Sequence, residues 1–314
     1  MPSFRYQIVN VFAESNLSGN PLCVFESGLP FDDVAMMAIA RQMNHPETAF
    51  ILPSRVADAQ IRIFTPAYEM PFAGHPLLGA AHVIRQLQTT ENALKIETKA
   101  GVVPVWAEDD VWSFQCKTPT YRAPEANIQQ LATLLGIRES DIGPSPLFVN
   151  TGTEQLVIQL TNRDGLMYCR PRAAALQQYA ANRNGVAQVF VWVRDGALVH
   201  GRFFYVDRGT VVEDYGTGSA CANLGGWFLA NGAPRPLSVE MRQGHMIKRF
   251  SNLKLDINTA RQVFVAGKVV AVGTGLLSLL LQNPRCTGTI TKLSVPIRGA
   301  TVPPSLPVCA PTKS

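Results

Sequence analysis

Phe64-Thr65-Pro66-Ala67-Tyr68-Glu69-Met70-Pro71-Phe72-Ala73-Gly74-His75-Pro76-Leu77-Leu78-Gly79 is the stretch whose reading decides the fold. It starts at the end of an apolar strand expected over residues 60–64. It then crosses a turn rich in Pro and Gly and opens a helix expected from Leu77 to about Gln86. The second half of the chain repeats this grammar. Val212-Glu213-Asp214-Tyr215-Gly216-Thr217-Gly218-Ser219-Ala220 follows a strand expected over 201–205 and opens a helix from Cys221 to about Leu229. Both helices are apolar and rich in small residues, which suits a helix enclosed by a curved sheet. The halves match in arrangement rather than in residues, a pseudo-duplication.

Outward from these two stretches, strands are expected over 6–12, 22–25, 95–98, 102–107 and 111–116, and the run His45-Pro46-Glu47-Thr48-Ala49-Phe50 leads from a loop into another. Asp32 is placed to cap a helix running to about Met43. Beyond a polar, proline-containing linker over 118–127, helices are expected at 128–135 and 173–179. Strands are expected at 146–149, 155–159, 188–193, 237–242 and 253–257. Residues 263–281 are apolar enough to suggest a membrane span, but Lys268 and three glycines interrupt them; two short strands or one bent strand over 263–273 fit better. The fold class is α+β. Two similar domains are expected, 1–118 and 122–262, with a strand near 263–275 completing the first. Residues 282–314 carry six prolines, which favours a flexible or surface-draped tail.

Composition narrows the function. Of 314 residues, 46% are apolar and 16% charged, enough for sizeable cores and against global disorder. The net charge of +5 is scattered, without a run of five or six Lys or Arg, so a nucleic-acid footprint is not expected. Six cysteines without a Cys-x-x-Cys pair and an alternating N-terminus without an apolar signal core point to a cytoplasmic, thiol-reduced, non-membrane protein. The five histidines, at 45, 75, 82, 200 and 245, form no metal-ligand set. There is no phosphate loop ending in Gly-Lys-Ser/Thr, and Gly216-x-Gly218 lacks the third glycine of a dinucleotide fingerprint.

The two Gly-rich loops could each present unpaired backbone N–H groups to a carboxylate; read alone, each is more often a tight turn before a buried helix. Glu47, between Pro46 and an apolar strand, could have its ionised form disfavoured and act as an acid–base group, although a lone glutamate there is more often an exposed turn residue. Asp214 could equally be a helix cap, and His75 a hydrogen-bonded loop residue. Ser219 lacks a nucleophile elbow and fits a donor role better. Cys221, one turn into its helix, reads as a small buried residue.

In combination the residues resemble a known family. The runs Ser18-Gly19-Asn20-Pro21-Leu22-Cys23-Val24-Phe25, Ala40-Arg41-Gln42-Met43-Asn44-His45-Pro46-Glu47-Thr48-Ala49-Phe50, Ile61 to Gly79, and Val212 to Ala220 are similar to those of the phenazine-biosynthesis PhzF-like isomerases, of the diaminopimelate epimerase-like fold. The resemblance covers residues 4 to about 275. It implies two pseudo-symmetric domains, each a curved β-barrel around a central helix, with the active site between them. It also implies no cofactor, no metal and a homodimer. It makes Glu47 the acid and base, with His75 and Asp214 assisting, and Gly74, Thr217, Gly218 and Ser219 the donors to a small carboxylated substrate. Related epimerases and proline racemases carry a cysteine in each loop; the matching positions here are Ala73 and Gly216, which argues against a two-thiol mechanism. Pro46 stands where many relatives have Ser, and Tyr205-Val206-Asp207-Arg208 departs from the family pattern, altering the expected pocket. The implied function is a cofactor-independent isomerase moving a proton on a cyclic or amino acid-like carboxylate. The alternatives are an amino-acid epimerase with Glu47 and Asp214 as opposed bases, or a catalytically silent binding protein.

Overall fold

The computed structural model describes residues 2–28, 31–88 and 91–279; the expected 282–314 tail lies outside them. The first half runs β1 (Ser3–Val11), β2 (Asn20–Phe25), α1 (Asp33–Met43), β3 (Glu47–Leu52), β4 (Ala59–Phe64), β5 (Glu69–Met70), α2 (Gly74–Gln88), β6 (Ala93–Thr98), β7 (Gly101–Glu108) and β8 (Val111–Gln115). The second runs β9 (Thr120–Arg122), α3 (Ile128–Leu135), β10 (Leu147–Asn150), β11 (Glu154–Gln159), α4 (Arg163–Tyr168), α5 (Ala173–Tyr179), β12 (Gln188–Asp195), β13 (Leu198–Asp207), β14 (Thr210–Glu213), α6 (Gly218–Ala230), β15 (Leu237–Gln243), β16 (Ser251–Ile257) and β17 (Val263–Ser278). Helices and a barrel-like sheet are mixed along the chain, and all the strands belong to one continuous hydrogen-bonded sheet.

The pairing order shows how the sheet curls. From β1 it passes to β2, β3, β4, β6, β7, β8 and β17, and β17 returns to β1, closing a ring. The second half runs β10, β11, β12, β13, β15, β16, β17, with β9 against β10. The parallel and antiparallel steps alternate in the same order in both halves, and β5 and β14 occupy equivalent places beside β4 and β13. A closed sheet removes exposed strand edges. β17 belongs to both halves: residues 263–266 pair with β16, 264–268 with β8, and 269–278 with β1.

The two inner helices explain their composition. α2 is buried continuously from Gly74 to Ile84, and all but one of the α6 residues from Gly218 to Leu229 are buried. A helix with no wet face needs small residues where strands approach closely. Gly79 lies against Leu22, Val11 and Val9, Gly225 against Val263 and Leu255, and Gly226 against Val149 and Pro119. Both helices feed one hydrophobic core. Two further clusters cover the outer sheet faces: Met36, Ile39 and Ala40 of α1 pack on Phe25, Phe50 and Phe64, and Leu131, Leu134 and Leu176 of α3 and α5 pack on Phe148, Leu156 and Val191. Each large buried side chain contributes roughly 1.5–3 kcal/mol through the area it removes from water.

Several boundaries differ from expectation. Residues 263–273 are part of one sixteen-residue strand, because successive neighbours take over its edges. The expected linker contains β9, which pairs with β10 through Tyr121 and Val149. α4 and β14 were not legible: one is short, the other a hairpin return. Both inner helices start earlier than expected, at Gly74 and Gly218. The Asp32 side chain caps α1 as expected, accepting from the Ala35 amide at 2.8 Å. Among the described residues no helix is long and apolar enough to cross a membrane.

A methyl group on Gly226 would stand 2.5 Å from Val149 Cγ1 and 2.9 Å from Pro119 Cβ. Gly226→Ala is therefore expected to destabilise the protein: overpacking of about 1–3 kcal/mol outweighs the ~1 kcal/mol gain in helix propensity. A lower urea midpoint at unchanged m-value is the expected result.

Candidate active site

The first turns of α2 and α6 meet head-on. A Cβ on Gly218 would lie 3.7 Å from Gly74 Cα and from the His75 amide nitrogen, and one on Gly74 would lie 3.7 Å from Gly218 Cα. Aromatic rings line the junction: a Cβ on Gly74 would meet Phe114 at 3.2 Å, and one on Gly218 would meet Phe12 at 3.2 Å. Phe12 is fully buried and holds a left-handed φ of 61°, a conformation unfavourable for an aromatic residue. Each N-terminus carries about half a positive charge. Thr217, the N-cap of α6, makes no side-chain hydrogen bond to the first turn, which leaves its amides for an outside acceptor.

Around this junction stand the sequence-predicted acids and the histidine. Glu47 begins β3, paired with Leu22 of β2. Its side chain is 16% exposed, and Oε2 lies 3.3 Å from His75 Nε2. Burial, reinforced by the charge of Asp214, pushes the Glu47 carboxyl up to about 8. Burial holds His75 down to about 3, against a hydrogen bond with the Pro21 backbone. Nε2 of His75 has no hydrogen-bond partner among the described residues, so the Pro21 bond falls on Nδ1 and fixes the neutral tautomer with Nε2 as acceptor. A protonated Glu47 thus faces an imidazole lone pair.

Asp214 is in the opposite situation. It accepts from Asn20 Nδ2 at 3.1 Å, the Tyr215 amide at 2.8 Å and Thr217 Oγ1 at 2.5 Å, and from the Gly216 backbone. Burial raises its pKa while these donors oppose the rise. Two of these donors fall on Oδ1 and the Thr217 hydroxyl on Oδ2, so both carboxylate oxygens are engaged. Asn20 is almost fully buried and also donates to Gly216 O at 2.9 Å, tying β2 to the second loop. Burial keeps the phenols of Tyr68 and Tyr205 neutral, and both also feel the charges of Glu47 and Asp207. The departing Tyr205–Asp207 run therefore borders the site.

The donor side is equally defined. Asn223 Oδ1 accepts from the Thr151 amide at 2.9 Å, which orients its Nδ2 toward Gln155 Oε1 at 2.8 Å; Gln155 Nε2 then donates to Ser219 Oγ at 2.8 Å. Ser219 receives that bond as an acceptor and keeps its own proton to offer. The Thr217 hydroxyl is committed to Asp214, so its side chain acts on the acid. Cys221 is fully buried and its thiol is held well above the usual range by burial, so it is no base. Among the described residues no group of three or more His, Cys, Asp or Glu side chains could hold a metal.

The sequence profile of the phenazine biosynthesis-like family (PhzC-PhzF) matches residues 9–275. The chain belongs to this family. An uncharacterised isomerase of Pasteurella multocida is 39% identical over 277 residues, covering 87% of this chain and 94% of its own. The trans-2,3-dihydro-3-hydroxyanthranilate isomerase of Pseudomonas chlororaphis is 32% identical over 286 residues, covering 88% of this chain and 99% of its own. A PhzF-family structure from Bacillus anthracis shares the fold, with a TM-score of 0.80 at 23% identity, covering 89% of this chain and 100% of that one. The protein is an isomerase of the phenazine biosynthesis-like family.

The structure brings Glu47, His75, Asp214, Gly74, Thr217, Gly218 and Ser219 to one junction. Sequence reasoning missed Asn20, Gln155 and Gln243, the amides that orient this phenazine biosynthesis-like site. One signal was available for Gln243: it falls on the inward phase of β15, after Val239 and Met241, where an amide needs buried partners.

A carboxyl whose folded pKa lies near 8 binds its proton more tightly than the unfolded chain does. Unfolding therefore releases a proton between about pH 4.5 and 8, and stability falls as pH rises through that window. Glu47→Gln removes the effect. The variant is expected to melt above the wild type at pH 9, by up to a few kcal/mol in stability, and with it at pH 4; calorimetry across this range checks the sign.

Proposed function

We propose that the protein catalyses a one-base proton shift on a small cyclic carboxylate, with Glu47 removing a proton from one carbon and returning it to another carbon of the same conjugated system. The observation that carries this reading is a set of buried polar atoms without partners among the described residues: Asn20 Oδ1, Glu47 Oε2 and His75 Nε2. Unpaired buried polar atoms are uncommon in folded proteins; of the ten such side-chain atoms among the described residues, these three stand together beside two helix N-termini, as a site awaiting a polar ligand would. The substrate carboxylate lies on the amides of Gly74, Gly218 and Ser219 and accepts the Ser219 proton. His75 Nε2, 3.3 Å from Glu47 Oε2, presents a lone pair to the carboxyl and borders the space the substrate takes.

Three points favour a shift over inversion. Inversion needs a second base on the opposite face of the carbon, and both oxygens of Asp214 are already engaged by donors. A pKa near 8 lets one carboxyl both take and give a proton near neutrality. The relative from Pseudomonas chlororaphis is an isomerase of trans-2,3-dihydro-3-hydroxyanthranilate, a cyclic carboxylate of the class proposed. The same reading divides the chain into two lobes, 1–118 and 122–262, each a curved barrel around its helix, with the site between them; the repeated pairing order supports this division.

trans-2,3-Dihydro-3-hydroxyanthranilate and a panel of small cyclic carboxylates in deuterated buffer, followed by NMR, test the proposal. Glu47→Gln is expected to abolish turnover while leaving substrate binding near the wild-type level; retained turnover in a folded variant would sink the assignment. For the wild type, kcat/KM is expected to rise with pH through about 8, as the base form of Glu47 appears. Because the Asp214 charge helps hold the Glu47 proton, Asp214→Asn is expected to move that limb to lower pH in whatever activity remains.

A further inference from the structure

Gln243 ends β15 and is fully buried. Its amide orientation is anchored by backbone on both sides: Oε1 accepts from the Thr217 amide at 3.2 Å, and Nε2 donates to Asp214 O at 3.0 Å. The same Nε2 lies 2.9 Å from Thr217 Oγ1. A hydroxyl has one proton, and an amide N–H can only donate. Thr217 Oγ1 must therefore accept from Gln243 and direct its own proton to Asp214 Oδ2, 2.5 Å away.

We propose that Gln243 is a positioning residue of the proton-transfer site: its amide fixes the Thr217 hydroxyl as a donor to Asp214 and so keeps Asp214 the ionised, saturated member of the acid pair. This rests on reading Glu47 as the proton carrier. Asp214 faces Asn20 from β2, Glu47 from β3 and Tyr205 from β13, and none of these supplies a positive charge. Neutral donors are what hold its charge in a buried place, and hydrogen bonds to the charged form are the means available. With Asp214 ionised first, its field keeps the proton on Glu47, and the two carboxyls are driven to different roles. Without Gln243 the Thr217 hydroxyl can turn, Asp214 loses its shortest donor, and the separation narrows.

Carbon-13 NMR titration of the carboxyl groups reads this without any substrate, with Asp214 and Glu47 assigned by the signals lost in Asp214→Asn and Glu47→Gln. Gln243→Met and Thr217→Val are each expected to weaken Asp214 as an acid by about tenfold, one unit. The double variant is expected to show no more than either alone, since both remove the same hydrogen bond. Gln243→Glu, whose carboxylate can take the hydroxyl proton for itself, is expected to shift Asp214 at least as far, and Thr217→Ser to leave it as in the wild type. Asp214 titration unchanged in the folded Gln243 variants overturns the proposal, as do additive shifts for Gln243→Met and Thr217→Val. Should neither Gln243 variant fold, Thr217→Val decides: no Asp214 shift there refutes the hydrogen bond on which the role depends, and a shift that Thr217→Ser lacks supports it. Turnover persisting in Glu47→Gln would defeat the proton-carrier reading while leaving these titrations intact, so the two failures are distinguishable.

Discussion

The head-on approach of α2 and α6 is the constraint on which the rest of the structure depends. Two helix N-termini repel each other, since each carries partial positive charge, and they remain in contact because both helices are locked in the strands around them. The small residues serve that geometry. Gly74 and Gly218 let the backbones close to the separation seen, and side chains there would press on Phe114 and Phe12. The result is a fixed set of backbone donors facing one point, prepared before any ligand arrives.

Around that point the chain uses neutral amides where a surface site would use lysine or arginine. Asn20, Gln155, Asn223 and Gln243 are all buried, and in each of them at least one hydrogen bond to backbone fixes the orientation or an oriented neighbour does so. Orientation propagates from backbone to amide to hydroxyl. It ends at Thr217, which points at Asp214, and at Ser219, whose proton is left free. Buried networks of this kind, in which every polar atom of these amide groups except Asn20 Oδ1 has a partner, hold one arrangement firmly because most alternatives strand further polar atoms.

The same logic separates the two acids. Asp214 has donors on both oxygens, whereas Glu47 has a buried oxygen near a histidine that cannot donate to it. Burial raises both carboxyls; neutral donors oppose the rise at Asp214, whereas Glu47, without such donors among the described residues and beside the Asp214 charge, is pushed up to about 8. A neutral Glu47 also lowers the negative charge of the site, which suits the carboxylate substrate proposed for it.

Much of this was legible in the sequence because its signals are local. Alternation located most strands, Asp32 announced its helix, and the loops at Gly74 and Gly218 announced theirs. The acids and the histidine were identified by their company and by resemblance, since Glu47 by itself reads as a turn residue. β17 was not legible as one strand, because its three sets of partners lie far apart in sequence and its glycines mimic breaks. Nor were Asn20 and Gln243, whose partners are 194 and 29 residues away. The sequence by itself determined which residues are candidates for the chemistry and that small-residue helices would lie inside the sheet. Only the tertiary structure decided which acid holds a proton and which hydroxyl is free to give one, because burial, tautomer and hydrogen-bond direction are properties of neighbours that the chain supplies from distant places.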